Sequence, residues 1–202
     1  MSVHGDLNVS RETLDKLRGF SDLVEKWTSK INLISKSSVP HIWERHILDS
    51  AQIFELAPKA GRWVDIGSGG GFPGIIAAIL TRESETPHQM YLIESDIRKC
   101  AFLRSAIREL DLKATVVSAR IEAQAPMEAD IISARALASL SELLGYAEQH
   151  LKTSGTALFL KGENWQTEHE EAQRTWSYRC EAIKSKTHPA AAILKVEDIV
   201  RV

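Results

Sequence analysis

Trp63-Val64-Asp65-Ile66-Gly67-Ser68-Gly69-Gly70-Gly71-Phe72-Pro73-Gly74 decides the reading of this chain. An apolar strand runs into an acidic residue, then into a glycine-dense turn, then into the apolar run Ile75–Leu80. Five glycines stand within the eight residues 67–74. Glycine is the costliest residue to order, so that density implies positive φ angles or a ligand against the backbone. Pro73 suits a first helical turn, where its missing N–H loses nothing. The helix that follows offers free N–H groups and a positive dipole end to an anion. The alternative is a glycine-rich surface loop with no ligand.

The turn fits two patterns. Gly69-x-Gly71-x-x-Gly74 matches the dinucleotide fingerprint, a weak signal when it stands alone. Asp65-x-Gly67-x-Gly69-x-Gly71 places an acid two residues before the first glycine, where it would repel a pyrophosphate. This second frame resembles the class I S-adenosylmethionine-dependent methyltransferases, whose cofactor offers an ammonium and a sulfonium beside its carboxylate.

With 202 residues, 44% of them hydrophobic, the chain suffices for one sizeable core and a small accessory element. A formal charge of −2 and a sequence pI near 6.4 exclude a globally basic nucleic-acid binder. Any RNA contact must use a local basic patch or rely on a preassembled partner. Cys100 and Cys180 form no disulfide framework or zinc spacing, which points to a reducing compartment. The opening Met1–Asp6 is polar and has no signal-peptide core. No apolar run reaches the ~20 residues that span a bilayer. A cytoplasmic protein, with no metal site and no membrane partner, is expected.

Periodicity divides the chain near residues 57–61, giving an N-terminal helical element (1–60) and a ligand-binding domain (61–202). Within 10–56, Ser10 is a candidate N-cap, Leu14 to Ile31 follow at helical spacing, and Ser38 with Pro40 marks a second helix start. Ile42, Trp43, Ile47 and Ile53 or Phe54 form that second stripe. Strands are expected at Arg62–Ile66, Gln89–Ile93, Thr115–Val117, Asp130–Ser133 and Thr156–Leu160, with helices at 74–82, 97–110, 139–151 and 165–175. Such alternation predicts a parallel α/β sheet with helices on both faces. Arg179–Lys186 and Ala192–Val200, joined through His188-Pro189, predict an antiparallel hairpin that completes seven strands. Ligands bind such sheets outside the carboxyl ends of the strands, where the glycine turn falls.

Candidate site residues sit at those ends. Glu94, closing the second strand, suits the hydroxyls of a ribose; the alternative is a solvated acid. Ile121 and Glu122 follow the third strand, where backbone amides and an apolar side chain suit an adenine; the alternative is an ordinary loop before Pro126. Arg135 follows the fourth strand and suits a carboxylate or phosphate, or is a surface arginine. No Asn/Asp-Pro-Pro-aromatic motif stands there, which argues against methylation of an exocyclic amine. Lys161, after the fifth strand, either meets an RNA phosphate or shapes an acceptor pocket, or is solvated. Arg98, Lys99, Arg104 and Arg108, or Lys26, Lys30, Lys36 and Arg45, are candidate phosphate patches or plain helix faces. His46 and Asp49, three apart on one helix, are spaced to interact.

Five segments together carry a more specific likeness: Asn32-Leu33-Ile34, His46-Ile47-Leu48-Asp49-Ser50, the glycine turn, Glu94-Ser95-Asp96 with Lys99 and Phe102-Leu103, and Ile132–Leu140. The chain resembles, over essentially its whole length, the bacterial 16S ribosomal RNA guanine-N7 methyltransferases, also called glucose-inhibited division protein B. The resemblance implies a class I methyltransferase sheet with a helical N-terminal extension. It implies S-adenosylmethionine as cofactor, and Gly67, Phe72, Ile121, Glu122 and Arg135 as positions that bind it. Asp65, Gly69 and Glu94 join them from the reading of the turn. It further implies methylation of guanine 527, in the decoding-region loop of 16S rRNA, by a monomer acting on the small ribosomal subunit. N7 carries a lone pair and no proton, so no general base is needed; Arg135 and Lys161 are the candidates nearest the acceptor. A methyltransferase of another RNA, a protein or a small molecule, a nicotinamide oxidoreductase, and a non-catalytic ribosome-binding module are the rival readings.

Overall fold

The computed structural model describes residues 7–58 and 60–202. The polar opening Met1–Asp6, and Lys59 of the expected junction, lie outside the described residues.

Seven strands form one sheet: β1 Arg62–Ile66, β2 Gln89–Glu94, β3 Ala114–Ser118, β4 Ala129–Arg135, β5 Leu151–Lys161, β6 Trp176–Lys184 and β7 Ala192–Arg201. Their order is β3-β2-β1-β4-β5-β7-β6. The first five pair in parallel; β7 pairs antiparallel with both β5 and β6. This is the mostly parallel seven-stranded sheet with a terminal hairpin that the pattern predicts. The chain reverses its direction of winding at β1 and β4, and the crevice above that point is where open α/β sheets bind ligands.

Alternation along β1 sends Trp63 to one face and Val64 and Ile66 to the other, where each is buried. The first face is covered by α1 Arg11–Thr28, α2 Asp49–Leu56, α3 Gly74–Leu80 and α4 Ile97–Glu109. The second carries α5 Leu140–His150 and α6 Trp165–Ala172. Ser10 caps α1 by accepting the Thr13 N–H at 3.2 Å, as its position predicts. The helix then buries Leu17, Phe20 and Val24 in the same core as Trp63, Ile75 and Leu92. Phe20 packs its ring 5.2 Å from Phe72 and 6.2 Å from Phe102. The N-terminal helices and the sheet therefore share one hydrophobic interior.

Three elements depart from expectation. The second N-terminal helix does not start at Ser38–Pro40. Residues Lys36–His41 form a 3₁₀ turn, Trp43–Leu48 a π-helical turn, and only then does α2 begin. Pro40 has no N–H to give to an i−4 carbonyl, so a regular α-turn cannot run through it. β5 begins at Leu151, directly after α5, five residues before the expected Thr156. α3 is followed by a 3₁₀ turn, Thr81–Glu83.

Candidate functional site

The glycine turn alternates. Gly67, Gly69 and Gly71 have φ of 63°, 53° and 85°, which L side chains rarely adopt. At Gly67 a Cβ would also meet Leu137 Cδ1 at 2.4 Å. Ser68 pins the turn by giving its N–H to the Ile93 carbonyl and its hydroxyl to the Asp65 carbonyl, both at 3.0 Å. Across the gap, Glu94 Oε2 accepts the Gly69 N–H at 2.8 Å, while Oε1 accepts those of Ser95 and Asp96 at 2.7 and 2.8 Å. Glu94 is thus a clamped acid, 8% exposed, rather than a solvated one.

Asp65 lies beneath the turn and does not line the cavity. It is 0% exposed. Its Oδ1 accepts the Ser133 hydroxyl at 2.7 Å, and Ser133 in turn accepts the Trp63 indole N–H at 2.9 Å. Oδ2 lies against Gly74 with no well-aligned donor; a Cβ there would come within 2.6 Å of it. Burial pushes the Asp65 carboxyl up to about 6, against the pull of the Ser133 hydroxyl. The anion expected at the start of α3 is therefore the chain's own carboxylate.

The third wall is the segment after β3. His150 on α5 holds the Ile121 carbonyl through Nε2 at 3.0 Å. Tyr146 donates its hydroxyl to Glu122 at 2.8 Å, and Gln149 reaches the carbonyls of Glu122 and Gln124. Ile121 is buried and Glu122 exposed, so one side chain covers the interior and the other stands at the rim. Backbone hydrogen bonding and the Tyr146 hydroxyl hold the Glu122 carboxyl below the usual range.

The fourth wall is Arg135. It is not a free clamp: its guanidinium lies 4.9 Å over the Phe72 ring, donates to the Arg45 carbonyl at 3.1 Å, and stands 3.7 Å from Asp49. Burial lowers its pKa, and the carboxylates of Asp49 and Asp65 oppose that. Lys161 is paired rather than solvated. Its side chain is 9% exposed, and its ammonium pairs with Glu168 at 2.6 Å and donates to the Ala138 carbonyl at 3.0 Å. His46 and Asp49 form no hydrogen bond with each other; the π-helical turn that carries His46 leads straight into α2, and both flank Arg135.

Gly67, Gly69, Phe72, Glu94, Ile121, Glu122 and Arg135 all line one cavity of about 350 Å³. Leu33, Ser68, Lys99, Arg120, Leu137 and Tyr146 are among its other lining residues. Of these, Tyr146 carries no local signal in the sequence, since its role comes only from α5 passing behind the segment after β3. A larger groove of about 780 Å³, bordered by Arg82, His88 and Lys113, lies at the amino ends of β2 and β3. It is away from the strand ends that carry the glycine turn, and the smaller cavity is the functional candidate. Its volume suits a nucleoside-sized ligand. Glu94 retains lone pairs for hydroxyl donors, and the glycines leave the backbone open to close approach.

A family model described as rRNA small subunit methyltransferase G, GidB, matches residues 13–193. The ribosomal RNA small subunit methyltransferase G of Ruegeria sp. (strain TM1040) is 52% identical over 197 residues, covering 98% of this chain and 96% of its own. That of Ruegeria pomeroyi is 53% identical over 196 residues, covering 97% and 96%. Among solved structures, an S-adenosylmethionine-dependent methyltransferase from Aquifex aeolicus superposes with a TM-score of 0.56 at 12% identity, over 87% of this chain and 96% of that one. P. horikoshii TYW2 in complex with MeSAdo superposes with a TM-score of 0.56 at 15% identity, over 86% and 65%. At such identities the likeness is one of fold, that of the class I methyltransferases. Sequence identity of about one half along nearly the full length carries more: the chain belongs to the GidB family of small-subunit ribosomal RNA methyltransferases.

Proposed function

We propose that this protein transfers the methyl group of S-adenosylmethionine to N7 of guanine 527 in the decoding-region loop of 16S rRNA. The observation that carries the reading is the cavity framed by the glycine turn, Glu94, Ile121 and Arg135. In this reading Gly67 and Gly69 lie against the methionine portion, Glu94 accepts the ribose hydroxyls, and Ile121 covers the adenine. When bound, the cofactor supplies a sulfonium methyl, which N7 takes with its lone pair while the C–S electron pair stays on sulfur. No proton moves, so the chain needs no base at the end of β4. Its residues have to orient the two reactants and exclude water.

An N7 edge inside an A-form helix is out of reach of side chains, so the target is a loop base that is splayed out. Exposed Arg45, Arg98 and Arg104 supply local positive charge on a chain of net charge −2. That suits a shaped ribonucleoprotein better than generic RNA.

The test incubates the protein and labelled S-adenosylmethionine with small subunits from cells lacking this gene, then digests the rRNA for mass spectrometry. One new 7-methylguanosine in the decoding-region loop is expected. Cofactor binding without RNA methylation would move the acceptor to another RNA, a protein or a small molecule. Absence of cofactor binding in calorimetry would remove the methyltransferase reading itself.

A further inference from the structure

A second cavity, of about 480 Å³, adjoins the first and shares Arg135 and Ala136 with it. Its walls come from distant parts of the chain: His46 and Asp49 from the N-terminal segment, Ser185 and Thr187 from the turn between β6 and β7. The two oxygens of Asp49 are used differently. Oδ1 accepts from the Thr187 hydroxyl at 2.7 Å, and from the Ser185 hydroxyl and the Gln52 amide, both at 3.3 Å. Oδ2 faces Arg135 at 3.7 Å, beyond hydrogen-bond distance. One oxygen is saturated and the other has spare lone pairs.

His46 adds a second unmet demand in the same cavity. Both of its ring nitrogens are buried without a hydrogen-bond partner, and its ring lies 5.1 Å from that of Phe72. Burial, Arg135 and Arg45 push its pKa down to about 3, so the imidazole is neutral, with one donor and one acceptor. Buried polar atoms left unpaired destabilise the fold unless a ligand meets them. A flat ligand with polar edges would meet these demands.

We infer that this second cavity receives the acceptor base and that Asp49 Oδ2 selects guanine by accepting from its N1–H and 2-amino group. The inference rests on guanine N7 being the acceptor. With N7 directed past the Arg135 guanidinium to the shared boundary at Ala136, the other edge of the purine meets the wall that carries Asp49. Adenine presents an N1 lone pair there, which a carboxylate repels. Selection thus uses a repulsive element as well as an attractive one. The contact also favours the reaction. As N7 takes the methyl group, the ring becomes cationic and N1–H becomes a stronger donor, while its proton stays on the base. The hydrogen bond to Asp49 is therefore stronger at the transition state than in the ground state.

The experiment is a two-by-two cycle of protein and base. Small subunits are reconstituted on ligated 16S rRNA with guanine or 2-aminopurine at the target. 2-Aminopurine keeps N7 and the 2-amino group but carries a lone pair at N1. Wild type and Asp49→Asn are compared on both, with cofactor affinity read by calorimetry as the control for folding. Wild type should prefer guanine at least 100-fold in kcat/KM. Asp49→Asn should keep its cofactor Kd within about twofold and narrow the preference to below tenfold, because an amide can donate to N1. An unchanged ratio would show that Asp49 only anchors the turn after β6, and overturns the inference. A wild type indifferent to the two bases overturns it without any variant. A wild type that binds cofactor but methylates no guanine subunit overturns the choice of acceptor, and this inference with it.

Discussion

At the scale of single residues, Gly67 and Asp65 make opposite contributions to the same turn. Gly67 holds a φ of 63° with Leu137 already in the place of a side chain. Gly67→Val should therefore abolish cofactor binding in calorimetry, through the backbone and through displaced Leu137. At Gly69 the nearest atom to a Cβ is 3.6 Å away, so Gly69→Ala should cost only the left-handed backbone, about 1 kcal/mol in thermal unfolding. Asp65 titrates against folding. Its carboxyl is raised to about 6 from 3.8, so between those values the folded state keeps a proton that the unfolded chain has lost. Its contribution to stability falls as pH rises through that window and is constant above it. Asp65→Asn retains the acceptor for Ser133. It should remove that slope from a plot of unfolding free energy against pH, and stabilise the protein at pH 7–8 by on the order of 2 kcal/mol. The turn was legible because its chemistry is local. Arg135 was legible as a position only; its partners Asp49 and Arg45 stand 86 and 90 residues away, and no spacing rule reaches that far.

At the scale of elements, the helices on the first face are part of the site rather than a lid on it. α1 places Phe20 against Phe72, and Phe72 in turn carries Arg135. Phe20→Ala should cost about 3–5 kcal/mol in denaturant unfolding, and should weaken turnover beyond that loss, since the Phe72 ring would lose its support. The parallel order was legible because strands buried on both faces read as continuous apolar runs, as in Ala157-Leu158-Phe159-Leu160 of β5. The start of β5 was not. Lys152-Thr153-Ser154 reads as a loop, yet Lys152 pairs with Asp130 at 2.7 Å and Leu151 stands in register with Ala129. The broken helix at 36–48 was half legible: Pro40 announces an interruption but not the π-helical turn that follows. The ion pair of Lys161 was not legible for a related reason. Its partner Glu168 follows seven residues later, but only the fold of α6 brings the two together.

At the scale of the whole molecule, the cations fall into two sets, exposed and engaged. Net charge is −2, and cations such as Arg45, Arg98 and Arg104 are exposed while Arg135 and Lys161 are engaged inside. Raising salt from about 50 to 200 mM should raise KM for the small subunit several-fold, while calorimetry finds the cofactor Kd nearly unchanged. An equal effect on both would mean that the exposed cations do not meet RNA. The second cavity is closed by a clasp between remote segments: besides Asp49 and Thr187, Gln52 accepts the Lys186 N–H at 2.6 Å and Glu55 pairs with Lys186 at 2.8 Å. The position of β7 between β5 and β6 gives this arrangement a temporal meaning. During vectorial synthesis β6 emerges before β7 and has no neighbour to pair with, and the edge of β5, with Leu158 and Phe159, waits open beside it. A nascent chain can complete the half of the sheet that carries the glycine turn well before it can close the second cavity. The second cavity is thus completed only once the turn between β6 and β7 has been made and seated on the N-terminal segment.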